Sequence, residues 1–484
     1  MKFEKMKQIT NINALVFGDL MVDKYIMGNV SRISPEAPVP ILEVKDKHSK
    51  LGGAGNVVNN IISLGAKASV LGCVGKDPDG EWIIDELENY EVCTKYIYRY
   101  EEVKSIAKTR LVSKNQQFLR FDEEIIQDAP ESFICEVEEN IEEILKDKHV
   151  VIISDYGKGT VTKRISQLII KEANKRKIPV VVDPKGKEYS KYNGATVCTP
   201  NVQELNTYIG TNAKTEEEVN QSANQLLKEV DLAYLMLTRS EKGISLFSKV
   251  KNEGLHFPAV AKDVIDVTGA GDTVVSTIAL LLATGFSMAD CCTLANIAAS
   301  IVCSKFGAAT LTINEWIRHV VLSGEFKTIS VDTAKYVVSS AKEEGKTVVF
   351  TNGCFDLLHA GHLSSFKQAR ALGDILVVAV NSDESVKRNK GDKRPIINQE
   401  YRIEMLCALE YIDYVILMEE DNPISIIENI QPDITVKGKD WEGKYLPEEK
   451  VVTSYGGKVE FINLEGSLST TSIISKIKEC EENE

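Results

Sequence analysis

The sequence has no Cys-x-x-Cys pair, although ten cysteines are scattered from Cys73 to Cys480 along its 484 residues. That spacing argues against a disulfide framework and a structural zinc site, so a reduced, cytoplasmic location is the expectation. Long hydrophobic runs are missing as well, because the most apolar stretch, residues 274–286, is short and interrupted by Thr and Ser. A membrane-spanning helix and a membrane partner are therefore not expected.

The sequence has fewer basic than acidic residues: 57 Lys and Arg against 71 Asp and Glu, which gives a formal net charge of -14. This balance argues against a nucleic-acid partner. Hydrophobic residues make up 43% of the chain and charged residues 26%, which is typical of a folded chain. A length of 484 residues exceeds what one core usually organises, so we expect at least two domains.

Short β-branched runs alternate with helical segments along the chain. They occupy residues 14–18, 150–154, 179–183 and 233–238 and, after a break, residues 347–353, 375–383 and 413–418. This rhythm predicts two α/β domains with buried parallel strands. The charged stretch at 312–345 carries no nucleotide loop, so we place the boundary near 325–340, with domains at 1–328 and 342–484 joined by helix.

The strongest motif of the first half is DVTGAGDT at 266–273, which opens an apolar helical run. Its small residues, Gly269, Ala270 and Gly271, leave backbone N–H groups and a helix N-terminus at one point, which suits an anion hole. Asp272 can accept a hydroxyl proton there while phosphoryl charge is stabilised. The alternative is a glycine-rich helix start in which Asp272 interacts only with the helix dipole.

This motif resembles the signature of the ribokinase-like sugar kinases, and the resemblance extends over most of residues 10–320. FGDLMVDKY at 17–25 is similar to the family's first strand, and GGAGNVVNNIISLGA at 52–66 to its glycine motif. The resemblance implies a ribokinase-like α/β domain that uses ATP. It also implies that four residues contact the sugar: Asp19, Gly52, Gly53 and Asn56.

The resemblance further implies where the nucleotide binds. TPNVQEL at 199–205 resembles the family's Asn-x-x-Glu motif, in which Glu204 positions Mg²⁺ through water, so no direct metal ligand is expected. TRSEKG at 238–243 resembles its nucleotide loop. The implied nucleotide contacts are Asn201, Val202, Gln203, Glu204, Thr238, Ser240, Gly243 and Asn296. A monovalent cation is used near Asp266 in some members, and the sequence alone does not establish one here.

Within this family, four stretches resemble the heptose 7-phosphate kinases: SRISPEAPVP at 31–40, KNQQFLRFD at 114–122, SDYGKG at 154–159 and DPKG at 183–186. Cations suit a substrate that already carries a phosphate. We expect Arg32, Arg120 and Lys185 to supply them, with surface or structural ion pairs as the alternative.

The strongest motif of the second half is TNGCFDLLHAGH at 351–362, which follows a predicted strand. His359 and His362 stand three residues apart and share one helix face, where their imidazoles can stabilise charge at an attacked α-phosphorus. A metal site is the chemical alternative, but the Glu of H-E-x-x-H is missing. A chance surface pair is the other alternative.

The segment resembles the H-x-G-H nucleotidyltransferases, and specifically their cytidylyltransferase-like branch, which has a Rossmann-like α/β fold. The resemblance implies nucleotide contacts from Thr351, Phe355, Lys390, Arg394, Lys437, Asp440, Ser469, Thr470 and Thr471. KGKDW at 437–441 departs from the usual pattern, which has glycine where Lys439 stands and more often tyrosine than Trp441. The contacts made by this loop are therefore open.

The pair of domains resembles the bifunctional heptose 7-phosphate kinase and heptose 1-phosphate adenylyltransferases. That resemblance implies two reactions that use ATP with Mg²⁺ and that act on a phosphorylated heptose. It also implies that the protein forms a homodimer or a higher homo-oligomer. The products would be heptose 1,7-bisphosphate and, after a separate phosphatase has acted, ADP-heptose. Other fusions remain open, with a different sugar or with CTP or GTP, as does a nucleotide-binding regulatory protein.

Overall fold

A computed structural model describes residues 2–463 except 114–115, 250, 261–263, 306, 308 and 323–326. The chain divides into two compact units, one of residues Lys5–Trp316 and one of Ile317–Glu484 together with Met1–Glu4. Among the described residues, no helix is long and apolar enough to cross a membrane.

The first unit is built on a nine-stranded sheet in the order β13-β12-β11-β10-β9-β8-β1-β4-β5, parallel except for β12 and β13. Its strands are β1 (Asn13–Gly18), β4 (Lys67–Gly75), β5 (Cys93–Tyr100), β8 (Val150–Ser154), β9 (Val180–Asp183), β10 (Val197–Cys198), β11 (Tyr234–Thr238), β12 (Ile244–Ser248) and β13 (Lys251–Phe257). The central strands are continuous apolar runs because helices cover both faces of a parallel sheet. All five residues of β8 are buried.

A second sheet of four strands in the same unit has the order β3-β2-β6-β7. It comprises β2 (Leu20–Ile33), β3 (Pro40–Gly53), β6 (Ile106–Ser113) and β7 (Gln116–Glu123). β2 and β3 are long strands whose distal parts are largely exposed. β2 leaves the end of β1 after one residue, and β3 leads directly into the next helix.

The helices that the structure describes up to the end of the first unit are α1 (Lys2–Lys7), α2 (Ala54–Ser63), α3 (Pro78–Asn89), α4 (Glu131–Ile144), α5 (Lys163–Lys175), α6 (Val202–Ile209), α7 (Glu216–Glu229), α8 (Ala270–Ala283), α9 (Met288–Cys303) and α10 (Ile313–Leu322). Side chains from α4, α5 and α7 form one large core with the main sheet. On the buried helix α8, the residues from Asp272 to Leu281 are all buried.

The second unit contains a parallel sheet in the order β16-β15-β14-β17-β18. Its strands are β14 (Val348–Gly353), β15 (Ile375–Asn381), β16 (Tyr414–Met418), β17 (Ile434–Gly438) and β18 (Lys458–Ile462). Its described helices are α11 (Val331–Glu343), α12 (Ala360–Arg370), α13 (Asp383–Lys390), α14 (Gln399–Cys407), α15 (Ile424–Ile430) and α16 (Pro447–Ser454). The strand order reverses between β14 and β17, and ligands bind at the carboxyl ends beside such a reversal.

The predicted α/β class is confirmed in both units. The domain ranges 1–328 and 342–484 stay predictions. α11 packs against α15 of the second unit. The N–H of Ile329 donates to Val415 O at 2.9 Å, and the N–H of Val415 donates to Lys327 O at 2.8 Å. A fragment that keeps this packing must therefore begin before residue 327.

Candidate active sites

Asp272 lies in the first turn of α8, directly after a left-handed turn at Gly269. Gly269 has φ 82° and caps the helix, and a side chain in that conformation would be strained. A Cβ placed on Gly271 would meet no atom within 4 Å, so open space faces the helix start. The N–H of Ala270 donates to Val267 O at 3.2 Å. One of the three N–H groups predicted to form the anion hole is therefore already hydrogen-bonded within the protein.

Two side chains clamp the carboxylate of Asp272 from opposite sides. Asn56 Nδ2 donates to Oδ2 at 2.5 Å, and the Tyr156 hydroxyl donates to Oδ1 at 2.7 Å. Behind them, Thr273 donates its hydroxyl to Asn60 Oδ1, and Asn60 Nδ2 donates to Asn56 O. The network fixes α8 against α2, so the predicted base is held in one orientation. The glycine-motif residue Asn56 thus contacts the predicted base directly.

Burial raises the pKa of Asp272, while the hydrogen bonds from Asn56 and Tyr156 and the charge of Lys108 lower it and the charge of Asp23 raises it. The two donors therefore keep a buried carboxylate closer to its ionised form. Only the ionised form can accept a proton.

Tyr156→Phe removes one of these donors and is expected to raise the pKa of Asp272 further. If Asp272 is the base, the acid limb of kcat/KM for the sugar then moves to higher pH, because activity is lost as pH falls through that pKa. The kinase pH profile checks this. Tyr189→Phe is the matched control, since Tyr189 is buried and its hydroxyl has no hydrogen-bond partner among the described residues. An unshifted acid limb would contradict the prediction.

A cavity of about 210 Å³ lies beside Asp272. It is lined by residues that follow several parallel strands: Tyr156, Asp183, Thr199, Asn201, Glu204, Thr238, Gly269, Gly271, Asp272, Val274 and Val275. Burial and the charges of Asp272 and Glu204 raise the pKa of Asp183 well above its ordinary value. The structure thus brings the predicted Asn-x-x-Glu motif and the predicted base to one cavity.

Asn201 and Glu204 form a reciprocal capping box at the start of α6. Asn201 Oδ1 accepts from Glu204 N at 2.9 Å, and Glu204 Oε2 accepts from Asn201 N at 3.0 Å. Lys185 Nζ donates to Glu204 Oε1 at 2.7 Å. Lys185, predicted to contact a sugar phosphate, is therefore paired with the carboxylate predicted to position Mg²⁺.

A larger cavity of about 920 Å³ continues past Asn201, with Val202, Gln203, Thr238 and Ser240 in its lining. This space has room for a nucleotide, and the loop after β11 forms part of its wall. Of the other residues predicted for the nucleotide, neither Gly243 nor Asn296 lines this cavity.

Gly243 and Asn296 instead hold the chain after β13. Gly243 has φ 86°, and a Cβ there would lie 2.2 Å from Phe257 O, so only glycine fits. Asn296 Nδ2 donates to Phe257 O at 3.3 Å and to Pro258 O at 2.6 Å. Their contacts with nucleotide stay predictions.

Asp19 is fully buried, and backbone N–H groups surround its carboxylate. Oδ2 accepts from Tyr156 at 2.8 Å and Lys158 at 3.1 Å, and Oδ1 accepts from Thr160 at 3.0 Å. The observed role of Asp19 is to hold the loop that carries Tyr156. Its predicted contact with the sugar is untested.

Asp23, four residues further along β2, was missed by the sequence reasoning. A Cβ on Gly52 would lie 2.8 Å from Asp23 Oδ2, and a Cβ on Gly53 would lie 2.5 Å from Asp19 O. These two glycines therefore allow β2 and β3 to approach closely. Asp23 accepts from Arg110, and its charge acts on the carboxyl of Asp272. No local pattern distinguishes it from Asp19, because residues four apart along a strand return to the same face.

The other expected cations lie on strand surfaces. Arg120 of β7 is exposed and pairs with Asp122, while Arg32 is exposed near the end of β2. At the predicted cation segment, Asp266 Oδ1 accepts from Thr268, and Oδ2 accepts from Gly307 N at 3.0 Å.

In the second unit, His359 caps α12 and His362 lies in its first turn. Their rings stack with centroids 4.0 Å apart. Burial lowers the pKa of both, and that of His362 falls to about 4 because the charges of His359 and Lys390 add to the effect of burial. Both imidazoles are therefore neutral near pH 7. The Nδ1 atoms are buried without a hydrogen-bond partner among the described residues.

Phe355 lies beside the histidines in the loop that follows β14, and Lys437 is the penultimate residue of β17. The Phe355 ring contacts His362 edge to face, with centroids 5.5 Å apart. Lys437 Nζ donates to Asn352 Oδ1 at 2.9 Å and pairs with the buried Glu448. Thr351 donates to Val436 O at 3.1 Å, which joins β14 to β17 at the reversal of strand order.

Arg394 is held against the first loop by Asp356, whose Oδ2 lies 2.5 Å from Arg394 Nε. Asp356 Oδ1 accepts from Ile396 N at 2.6 Å. Arg402, which is fully buried, donates to Cys354 O at 2.6 Å and Asn381 O at 2.7 Å. These contacts tie the H-x-G-H loop to the Arg394 segment.

Of the remaining predicted residues, Lys390 ends α13 near His362 and Asp440 is exposed in the short helix Lys439–Trp441. Ser469, Thr470 and Thr471 lie outside the described residues. Among the described residues, no group of three or more His, Cys, Asp or Glu side chains could hold a metal ion.

The fold and the two sites define an enzyme that joins a sugar kinase domain to a nucleotidyltransferase domain. Residues 11–315 match the pfkB family of carbohydrate kinases, and residues 350–474 match the cytidylyltransferase-like family.

The chain is 41% identical over 478 residues to the bifunctional protein HldE of Syntrophotalea carbinolica, covering 98% of this chain and 97% of that protein. It is 42% identical over 466 residues to HldE of Haemophilus influenzae, with 96% of each covered. The chain belongs to the bifunctional HldE family, and its first domain belongs to the pfkB carbohydrate kinases.

Solved structures agree on the fold of the first unit. Arabidopsis thaliana ribokinase, complexed with ribose and ATP, superposes with a TM-score of 0.51 at 18% identity, over 64% of this chain and 98% of that one. Escherichia coli phosphofructokinase-2, in complex with potassium, superposes with a TM-score of 0.54 at 20% identity, over 64% of this chain and 99% of that one.

Proposed function

We propose that the first domain phosphorylates D-glycero-β-D-manno-heptose 7-phosphate at C1 and that the second adenylylates heptose 1-phosphate. The observation that carries this proposal is the identity of about 40% to HldE proteins over nearly the whole chain. A phosphatase must remove the 7-phosphate between the two steps, because the kinase product still carries it.

In the kinase step, Asp272 takes the proton of the C1 hydroxyl as its oxygen attacks the γ-phosphorus of ATP. The new P–O bond forms as the bond to the β-phosphate oxygen breaks, and ADP leaves. The N-terminus of α8 at Gly271 and Asp272 stabilises the negative charge on the phosphoryl group. The clamp by Asn56 and Tyr156 supports this assignment, since it orients the carboxylate beside the cavity.

The donor set suits Mg²⁺ bound together with ATP. Asp183 and Glu204 line the small cavity with Asp272, and hard oxygen donors are what Mg²⁺ prefers. Because Mg²⁺ usually takes phosphate and water as most of its ligands, it needs no dedicated cluster of protein ligands. The ion would neutralise phosphate charge during transfer.

In the second step, a phosphate oxygen of heptose 1-phosphate attacks the α-phosphorus of ATP, and pyrophosphate leaves. Neutral His359 and His362 donate hydrogen bonds to the phosphate oxygens as charge builds at phosphorus. Lys390 and Arg394 offset the charge of the triphosphate. The stacked geometry and low pKa of His362 support a donor role over one as a proton-accepting base.

We also propose that the enzyme works in the cytoplasm, where ATP is available, as a homo-oligomer. One face of the four-stranded sheet supports association, since Leu119 and Phe121 of β7 are 56% and 43% exposed there. Apolar exposure of this kind is typical of a protein interface.

The test is an assay of purified protein against phosphosugars and nucleoside triphosphates. We expect ADP release with heptose 7-phosphate and pyrophosphate release with heptose 1-phosphate and ATP. Greater turnover with another phosphosugar, or with CTP or GTP, would replace the proposed substrates. Binding of ATP without either release would instead favour a regulatory protein.

A further inference from the structure

We propose that one face of the four-stranded sheet is the subsite for the phosphate that the sugar already carries, with Lys108 and Arg110 of β6 as its principal cations. The inference rests on the proposed function, in which the kinase accepts a phosphorylated sugar. The ligand class is a phosphomonoester.

The strand register defines this face, which we call the cationic face. Directly paired residues on neighbouring strands share a face, and alternate residues along a strand return to it. Two adjacent rows obey this rule: Lys50, Asp23, Lys108 and Asp122, and next to them His48, Tyr25, Arg110 and Arg120. Four Lys or Arg side chains thus share a face with two Asp carboxylates, in a chain with a net charge of -14.

The opposite face is different. There Ile26 pairs with Leu111, and Leu111 pairs with Leu119, so an apolar row crosses the same three strands. Lys24 and Lys47 also lie on that opposite face, but β6 and β7 contribute no Lys or Arg to these rows.

The cationic face is turned toward the proposed base. Lys108 Nζ lies 5.7 Å from the ring centroid of Tyr156, and the hydroxyl of Tyr156 donates to Asp272 at 2.7 Å. The charges of Asp23 and Lys108 both act on the carboxyl of Asp272. A sugar whose hydroxyl reaches Asp272 therefore has this face beside it.

The pairing of the charges indicates which cations are available to a ligand. Arg110 Nη1 lies 2.6 Å from Asp23 Oδ1, and Arg120 pairs with Asp122 at 3.0 Å. Lys108 has no ion-pair partner among the described residues, and it is half-buried. Burial lowers its pKa, so an anion placed beside it would restore the charged form.

Arg110 can serve the same anion because it is already fixed. Its guanidinium pairs with Asp23 and lies 5.4 Å from the ring centroid of Tyr25, and the side chain is 18% exposed. A guanidinium held in this way keeps further N–H donors for phosphate oxygens at little entropic cost. Arg120, predicted from the sequence, is more exposed and stands directly across from Arg110.

The test compares Lys108→Gln and Arg110→Gln with the intact enzyme at saturating ATP, on the high-pH plateau. We expect KM for heptose 7-phosphate to rise by roughly 10-fold or more in each, the scale of one lost charged hydrogen bond. KM for ATP should be unchanged. The inhibition constant of the same heptose without its phosphate should also be unchanged, because that ligand does not use the subsite.

Lys47→Gln is the matched control. Lys47 pairs with Ile26 across β2 and β3, so it lies on the opposite face of the same sheet, and its loss should leave every constant unchanged. An unchanged KM for heptose 7-phosphate in the Lys108 and Arg110 variants would overturn the subsite. An equal loss of affinity for the heptose with and without its phosphate would also overturn it. A rise in KM for ATP alone would assign the cations to the nucleotide phosphate instead.

These outcomes separate the subsite from the proposed function. If the intact enzyme phosphorylates heptose 7-phosphate but the variants bind it normally, only the subsite fails. If the intact enzyme accepts no phosphorylated sugar, the proposed kinase substrate fails with it.

Discussion

Replacing Asp272 with Asn is expected to lower sugar phosphorylation by roughly 10²-fold or more, the scale of general-base contributions. Asn keeps the size of the side chain but removes the proton acceptor and the charge. ATP binding should persist, because the cavity around Asn201 and Thr238 is not altered. Steady-state kinetics of ADP release, with direct ATP binding, measure the effect.

Asp290→Asn is the matched control for this variant. Asp272 is the third residue of α8, and Asp290 is the third residue of the neighbouring helix α9. Both acids therefore interact with a helix dipole, but only Asp272 lies in the cavity. If the two variants lose activity equally, or if Asp272→Asn phosphorylates sugar almost normally, Asp272 is not the base. Adenylyl transfer in the same preparation reports on whether the protein is folded.

The sequence allowed seven strands of the two main sheets to be predicted, because buried parallel strands leave continuous β-branched runs such as residues 150–154 and 375–381. The positions of Asp272, His359 and His362 at helix starts could also be predicted, since each belongs to a short local motif. Both kinds of prediction depend only on residues that are neighbours in the sequence.

The remaining parts of the kinase site depend on pairing between distant strands. Lys108 and Arg110 occupy one face with Asp23 only because β6 pairs with β2 in one register, and nothing local in either strand specifies that register. The motif FGDLMVDKY does not reveal that Asp19 accepts from the backbone of the loop at Tyr156 whereas Asp23 accepts from Arg110 of β6. The motifs also do not reveal the role of Tyr156, whose hydroxyl donates to Asp272 although the two residues are 116 positions apart in the sequence.

A supporting interaction in the second unit also joins segments that are distant in the sequence. Arg402 follows the loop motif by 40 residues or more, yet its guanidinium contacts Cys354 O and Asn381 O. A fully buried Arg is tolerated because carbonyl oxygens and the carboxylate of Asp383 satisfy it. The placement of the histidine loop therefore depends on a residue outside the motif.

His362→Ala is expected to abolish most adenylyl transfer and to leave the kinase intact, the reverse of the Asp272 variant. The stacked rings of His359 and His362 place two neutral donors at the start of α12. If they stabilise the attacked α-phosphorus, the loss appears in the maximal rate more than in ATP binding, because the interaction strengthens in the transition state. A lost preorganised donor costs about 10²- to 10³-fold in rate.

Pyrophosphate release and ATP binding, measured on one preparation of His362→Ala, decide between the possible roles of this side chain. A normal maximal rate with weakened ATP binding would make His362 a ground-state contact, and its catalytic assignment would fail. Loss of wild-type activity only when a transition metal is stripped would restore the metal interpretation. Since the kinase reaction is catalysed by the other domain, its unchanged rate in this variant shows that any loss of adenylyl transfer comes from the missing imidazole and not from misfolding of the whole chain.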